Sequence, residues 1–263
     1  VPLAQEIILK IKDLVNVASP SFFARFRSDD VSMIDISNNL NVSDTTFEHL
    51  SNLKTLRYIY ATNIDITNKV IDEFNRMPHL KAVYIDGTQI RQNGLVDYKY
   101  LRNCEELGIG RVGPVYKVLK KLQGSPAIQV LSLDDSELTD EQLKIVATLP
   151  NLWHLNIEHN RKITNQGFKN LLPLKKLRLL YIAGSNITPE IIPEIKKMPS
   201  LKTLLVYPDR WSSKDSKRLK SEYDVNMQVD ENDWKLYSGQ KQHVEVDMDD
   251  VKRLYDKNPI KKK

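Results

Sequence analysis

One cysteine stands in 263 residues. Cys104 alone cannot close a disulfide, which excludes a fold stapled by disulfide caps within this sequence. A cytoplasmic setting is expected, with a bacterial envelope or secreted one as the alternative. No apolar run approaches the roughly 18 to 20 residues of a membrane-spanning helix. The chain has no HExxH, no paired CxxC, no glycine loop of the phosphate-cradling kind and no GxSxG elbow, which removes the usual entry points for metal, nucleotide or acyl-transfer chemistry. The first residue is Val1 rather than methionine, so an upstream signal peptide, anchor or domain is expected. What remains is 41% hydrophobic and 28% charged, the balance of a protein with a packed interior.

The apolar residues recur. A pattern at offsets 0, 3, 5 and about 10 reads Val31-Ile34-Ile36-Val42, Leu56-Ile59-Ala61-Ile66 and Leu80-Val83-Ile85-Ile90. It continues through Cys104-Leu107-Ile109, Ile128-Leu131-Leu133-Leu138, Leu152-Leu155-Ile157-Ile163, Leu177-Leu180-Ile182-Ile187 and Leu201-Leu204-Val206-Trp211. Spacings of 24 or 25 residues over eight copies are the mark of a repeat solenoid. Within each copy, offsets 3 and 5 point one way and offsets 2, 4 and 6 the other, as on a short strand.

Between strands the chain returns through a second amphipathic stretch. In the fifth copy Thr139 and Gln142 fit a capping box, and Leu143, Val146 and Leu149 share a helical face. Ser43, Thr67, Thr164, Thr188 and Ser212 begin other returns in the same register, with Pro189 set for a first helical turn. Pro78, Pro126, Pro150 and Pro199 each stand two residues before the next strand, where proline ends a helix and favours extension. The extra residue of the two longer copies falls in the turn, in Ser37 to Val42 and Glu158 to Ile163. In the fourth copy Pro114 occupies the anchor slot. A distorted turn is expected there, either a harmless defect or a bend that shapes a site.

These features resemble the leucine-rich repeat proteins, in the ribonuclease-inhibitor-like style, over residues 31 to 225. The resemblance implies an α/β solenoid, with a curved parallel β-sheet on the concave side and helices on the convex side. It departs at offset 8, where the family uses Asn or Cys to bond the turn. Asn39 and Asn160 match; Thr88, Ser136 and Ser185 can make part of that ladder, and Ile64 and Val112 cannot.

Three segments follow. Residues 1–30 fall outside the repeat, and Ile7, Ile8, Ile11, Leu14 and Val15 are spaced for an amphipathic helix. We expect an N-terminal helical cap, a recruitment module such as an F-box being the alternative. Residues 31–225 are the solenoid. Residues 226–263, with Trp234 and the terminal Lys261-Lys262-Lys263, are expected to form a C-terminal cap with a basic tail, or an appendage with its own contact.

The net charge of +5 comes from scattered lysines. Lys117, Lys120, Lys121, Lys175, Lys176, Lys196, Lys197, Lys214, Lys217 and Lys220 fall mostly on return segments and read as a solvated convex face. The strand face differs, because tyrosines and acids gather there. Tyr58, Tyr60, Tyr84, Asp86, Asp134, His154, Glu158, Tyr181 and Tyr207 all occupy offsets 2, 4 or 6. Tyrosine offers large amphipathic contact area at low entropic cost. Asp134 and Glu158 are expected to face each other across adjacent strands, an arrangement with no value for folding. Either a partner cation or simple solvation explains it.

A monomeric, non-catalytic module that binds a protein partner, with a basic patch, in the concave face is the reading these residues favour. The substrate-recognition or sensor arm of a larger protein, such as a ubiquitin-ligase adaptor, a receptor or a kinase, is the alternative. A hydrolytic enzyme is disfavoured: His154, His159, Asp134, Asp135 and Glu158 lie near one another, but an open sheet excludes water poorly. No cofactor or metal is expected. Nucleic acid would want aromatics interleaved with basic residues, not acids.

Overall fold

The computed structural model describes residues 7–10, 31–207 and 209–229. Ten strands form one parallel sheet in chain order. They are β1 (Ile7–Lys10), β2 (Val31–Asp35), β3 (Tyr58–Tyr60), β4 (Ala82–Tyr84), β5 (Glu106–Gly108), β6 (Val130–Ser132), β7 (His154–Asn156), β8 (Leu179–Tyr181), β9 (Thr203–Val206) and β10 (Asn226–Val229). The register is the one the repeat demands. Met33, Tyr58, Ala82, Glu106, Val130, His154, Leu179 and Thr203 pair in succession, all at offset 2. Backbone bonds extend the ladder beyond the short strands. The N–H at offset 1 reaches the preceding repeat, as in Trp153 to Gln129 at 2.9 Å, and the N–H at offset 7 reaches the following one, as in Arg111 to Asp134 at 2.9 Å.

The convex returns are short and mixed in winding. The helices α1 (Ile71–Phe74), α2 (Gln92–Asp97), α3 (Tyr116–Leu122), α4 (Asp140–Val146), α5 (Asn165–Asn170) and α6 (Ser213–Tyr223) alternate with 3₁₀ turns. The seventh return, Pro189–Lys197, is wholly 3₁₀ and contains Pro193. Helices this short gain little from their own hydrogen bonds, so packing and caps hold them. Thr139 and Gln142 make the expected capping box at α4. A second device links the repeats: at four returns the residue after the cap accepts the cap N–H of the next repeat. Asp44 takes Thr67 N, Asn68 takes Arg91 N, Asp140 takes Thr164 N and Asn165 takes Thr188 N, at 2.6 to 2.8 Å. At these four starts a donor of the cap residue is thereby satisfied by the neighbouring repeat.

Offsets 0, 3 and 5 fill one continuous core from Val31 to Val225. On its convex side Phe47, Phe74 and Tyr98 stack edge to face, with centroids 5.8 and 6.0 Å apart. Cys104 is buried, which pushes its thiol up to about 12 and keeps it inert. At offset 8, Asn160 donates to Leu133, Ile157 and Glu158 carbonyls and accepts from Ser136 and Leu138 N–H. Thr88 and Ser185 make the shorter bonds open to a hydroxyl, to Ile85 O and Ile182 O. In the fourth repeat Pro114 is exposed and Val115 drops into the core in its place. Val115 thus serves as anchor and N-cap together, and α3 has no side-chain cap.

Two expectations change. Ile7–Lys10, spaced for a helix, form β1 instead, parallel to β2 with a register shift between Ile7 and Ile8. A short apolar run satisfies either period, and the unpaired edge of β2 supplies hydrogen bonds that a helix would not use. The sheet also runs to Val229, past the boundary read at residue 225, because β10 pairs with β9. The rest of the expected N-terminal helix, Trp234 and the terminal lysines lie outside the described residues.

Candidate interaction face

Offsets 2, 4 and 6 of eight repeats give 24 positions on the strand face. Five are carboxylates (Asp35, Asp86, Glu106, Asp134 and Glu158), and none is Lys or Arg. At the chain's average of 39 Lys and Arg in 263 residues, three or four would be expected. The convex returns carry the cations, and Lys117, Lys120, Lys175, Lys196, Lys197, Lys214, Lys217 and Lys220 are exposed. Lys121 is the exception: its ammonium donates to the Val96 and Tyr98 carbonyls behind α2, and burial lowers its pKa.

The face divides into two groups. In the first half Tyr60 stacks on Tyr84, centroids 4.9 Å apart and planes within 12°. The Tyr84 hydroxyl donates to Glu106 Oε2 at 3.1 Å. Burial raises the Tyr60 hydroxyl, and the nearby Glu106 and Asp35 carboxylates raise it further. Tyr58, Tyr60, Asp35 and Glu106 are half-buried, whereas Tyr84 is buried. In the second half His154 meets Tyr181 edge-on at 4.8 Å, and both are buried. Burial lowers His154 to about 4, so the ring is neutral near pH 7. The sequence places His154 on the strand face; there it lies inside a packed aromatic layer, against Trp153 and Tyr181. His159 is exposed, and its Nε2 bonds the Tyr207 hydroxyl two repeats on.

Gly108 and Gly110 connect these halves. Both sit where other repeats carry concave side chains, and the gap is filled from the sides. A Cβ on Gly108 would overlap Tyr84 and Asp86, and one on Gly110 would overlap Asp134. Asp86 Oδ1 accepts the Gly110 N–H at 2.8 Å. Asp134 Oδ2 pairs with Arg111 Nη1 at 3.0 Å. The carboxylate neighbour that matters to Asp134 is therefore Asp86, across the glycine, not only Glu158 on the next strand. Burial first, and then the Asp134 charge, push Asp86 up to about 7. Of the two explanations open for the carboxylates, a partner cation or solvation, neither describes the structure at Asp134, where Arg111 of the same chain supplies a cation. Glu158 is buried beside Tyr181, whose hydroxyl it helps to raise.

Sequence reasoning missed Glu106, Arg111 and the glycine gap. Gly108 and Gly110 were visible as blanks in two columns, but which side chains lean into a blank depends on neighbouring repeats. Among the described residues, no group of three or more His, Cys, Asp and Glu is arranged to hold a metal ion. Among those same residues, no helix is long and apolar enough to cross a membrane.

No family model matches the chain, and no curated protein matches it. Among solved structures it is similar to internalin C2 of Listeria monocytogenes, with a TM-score of 0.56 and 17% identity, over 77% of this chain and 82% of that one. At that identity the likeness shows the fold: a leucine-rich-repeat-type solenoid, with a parallel sheet alternating with helical returns.

Proposed function

We propose that the chain is a non-catalytic protein-interaction module, in the ribonuclease-inhibitor-like style, whose concave face takes a Lys- or Arg-bearing segment of a protein partner. The observation that carries this reading is the charge segregation: five carboxylates and no Lys or Arg at 24 strand-face positions, on a chain of net charge +5. Such a face steers a cationic partner. The contact zone is the set Tyr58, Tyr60, Tyr84, Asp86, Asp134, His154, Glu158, Tyr181 and Tyr207. Its working end is the first half, where Tyr58 and Tyr60 lie half-buried beside Asp35 and Glu106. Asp86 and Asp134 hold the shape of the face instead, since burial raises Asp86 to about 7 and Asp134 is paired to Arg111. A cytoplasmic setting suits a single, buried thiol.

The test begins with affinity capture from source lysate, followed by calorimetry on whatever protein is retained. Tyr60→Ala is expected to cost about 2 kcal/mol or more of binding, the scale of an aromatic anchor. Glu106→Lys is expected to abolish binding at low salt, with circular dichroism unchanged. If both variants bind like the parent while convex Lys196→Glu does not, the reading fails.

A further inference from the structure

Among the described residues, the rim at which the eight repeat strands begin carries one aromatic residue at offset 1. Its column, at offset 1, reads Ser32, Arg57, Lys81, Glu105, Gln129, Trp153, Arg178 and Lys202. Foldability asks nothing aromatic of this column, since its backbone bonds form whatever the side chain. Trp153 is nonetheless there, half-buried. It lines an open depression of about 590 Å³ with Gln129, Asn151, Lys176, Arg178 and Ser200, within the roughly 300–1,000 Å³ range of small-ligand clefts.

The charges around it are the second observation. Elsewhere on this rim the cations are satisfied within the chain. Lys81 pairs with Glu105 at 2.8 Å, Lys202 pairs with Asp224 at 2.9 Å, and Arg57 donates to the Lys54 and Leu56 carbonyls at 3.0 Å. Beside Trp153 they are not. Among the described residues Arg178 has no ion pair, and Lys176 meets only the neutral Asn151 Oδ1, at 2.6 Å. Asn151 is itself pinned through its Nδ2 to Pro126 O at 2.7 Å, so the ammonium is held at the edge of the depression. Two cations, an indole and the side chains of Gln129 and Ser200 therefore converge on one spot.

We propose that this depression binds an acidic oligosaccharide. A sugar ring would lie against the Trp153 indole, and its carboxylate would meet Arg178 and Lys176. The chemistry matches group by group. A pyranose presents an apolar C–H face to an aromatic ring and hydroxyls around its edge. Each hydroxyl both donates and accepts, as do the Gln129 amide and the Ser200 hydroxyl. A guanidinium takes a carboxylate through two parallel bonds. An acidic peptide is the weaker match, because peptide affinity rests on anchoring side chains in deep pockets, and this depression is open. The site lies on the rim, where the Trp153 ring stands 5.7 Å from that of His154 on the concave face, and it does not depend on the function proposed above.

The test titrates the whole chain with trigalacturonate, with maltotriose as the neutral control and triglutamate as the peptide control. Calorimetry measures affinity, and tryptophan fluorescence reports whether an indole is touched. Saturable binding of trigalacturonate is expected, together with a fluorescence change that maltotriose does not produce. Trp153→Ala and Arg178→Gln should each weaken it about tenfold, while Trp153→Phe keeps most of it. Arg178 is exposed, so Arg178→Gln tests the site even if Trp153→Ala fails to fold. The proposal is overturned if trigalacturonate does not bind, if convex Lys196→Glu weakens binding as much as Arg178→Gln does, or if triglutamate binds more tightly.

Discussion

Arg111 and Asn63 stand two repeats apart and are joined directly, Nη2 to Oδ1 at 2.9 Å, across Gly87. Arg111 also holds Asp134, so one guanidinium ties the second, fourth and fifth repeats together. The backbone makes this contact notable. Offset 7 is left-handed in seven successive repeats, at Asn38, Asn63, Gly87, Arg111, Asp135, His159 and Gly184, with φ between 45° and 72°. Glycine, Asn and Asp tolerate that conformation; arginine does so poorly. The residue least suited to the column is thus the one with two charge-assisted contacts to offset its strain. In the later repeats His159 reaches Tyr207 in the same way, past Gly184, whose added Cβ would lie 3.1 Å from the His159 ring.

Gly87 serves both conformation and clearance, and the two can be separated. Gly113 has φ +89° with open space around it, whereas a Cβ on Gly87 would overlap Asn63 Oδ1. Gly113→Ala is therefore expected to cost about 1 to 2 kcal/mol from backbone strain alone. Gly87→Ala adds overpacking of roughly 1 to 3 kcal/mol. Urea melts giving equal losses would mean that the Arg111–Asn63 contact needs no clearance.

Gly110 is the other position where the missing side chain matters. Gly110→Ala is expected to cost about 1 to 3 kcal/mol, since its methyl group would take the space of the Asp134 carboxylate. In an Asp134→Ala background part of that cost disappears, giving a coupling of at least about 0.5 kcal/mol in a double-mutant cycle. Strict additivity would show that Asp134 does not fill the gap.

Stability should vary with pH through two groups of opposite sign. Folding raises Asp86 from 3.8 to about 7, so the folded chain holds a proton that the unfolded chain releases. Its stabilising share is present below pH 4 and is lost as pH rises from about 4 to 7. Folding lowers His154 from 6.5 to about 4, so its share is present above 6.5 and is lost as pH falls towards 4. Asp86→Asn keeps an oxygen for the Gly110 N–H but cannot ionise. It should gain on the parent steadily between pH 4 and 7 in urea melts, and His154→Phe should gain as pH falls from 6.5 to 4. A pH-independent difference for Asp86→Asn would place that carboxylate in water.

Leu133 and Ile157 are fully buried in adjacent repeats. Either residue changed to alanine should lower stability by roughly 2 to 5 kcal/mol. Lys144→Ala, which removes one exposed pair with Glu141, should stay within about 0.5 kcal/mol. Similar losses for both kinds of change would contradict the observed inward and outward register.

The solenoid was legible in the chain because its rules are local and repeated. Leu133 points inward and Ser132 outward by strand alternation alone, and Thr139 with Gln142 closes a helix start within four residues. Repetition turned those weak signals into a strong one. The tyrosine and acid columns were equally readable, since a parallel sheet in register brings Tyr60 beside Tyr84 without further information. What the sequence alone left open were contacts made between repeats by side chains of unlike kind. The left-handed column mixes Asn, Gly, Arg, Asp and His, so no residue pattern announces it. That Asp134 takes Arg111 as its cation, that burial raises the Asp86 carboxyl, that His154 is buried and that Ile7–Lys10 join the sheet all depend on which neighbour leaves a gap or an edge unfilled. Local chemistry shaped each repeat, and stacking settled what its side chains meet, because packing and desolvation exist only once the neighbouring repeats are in place.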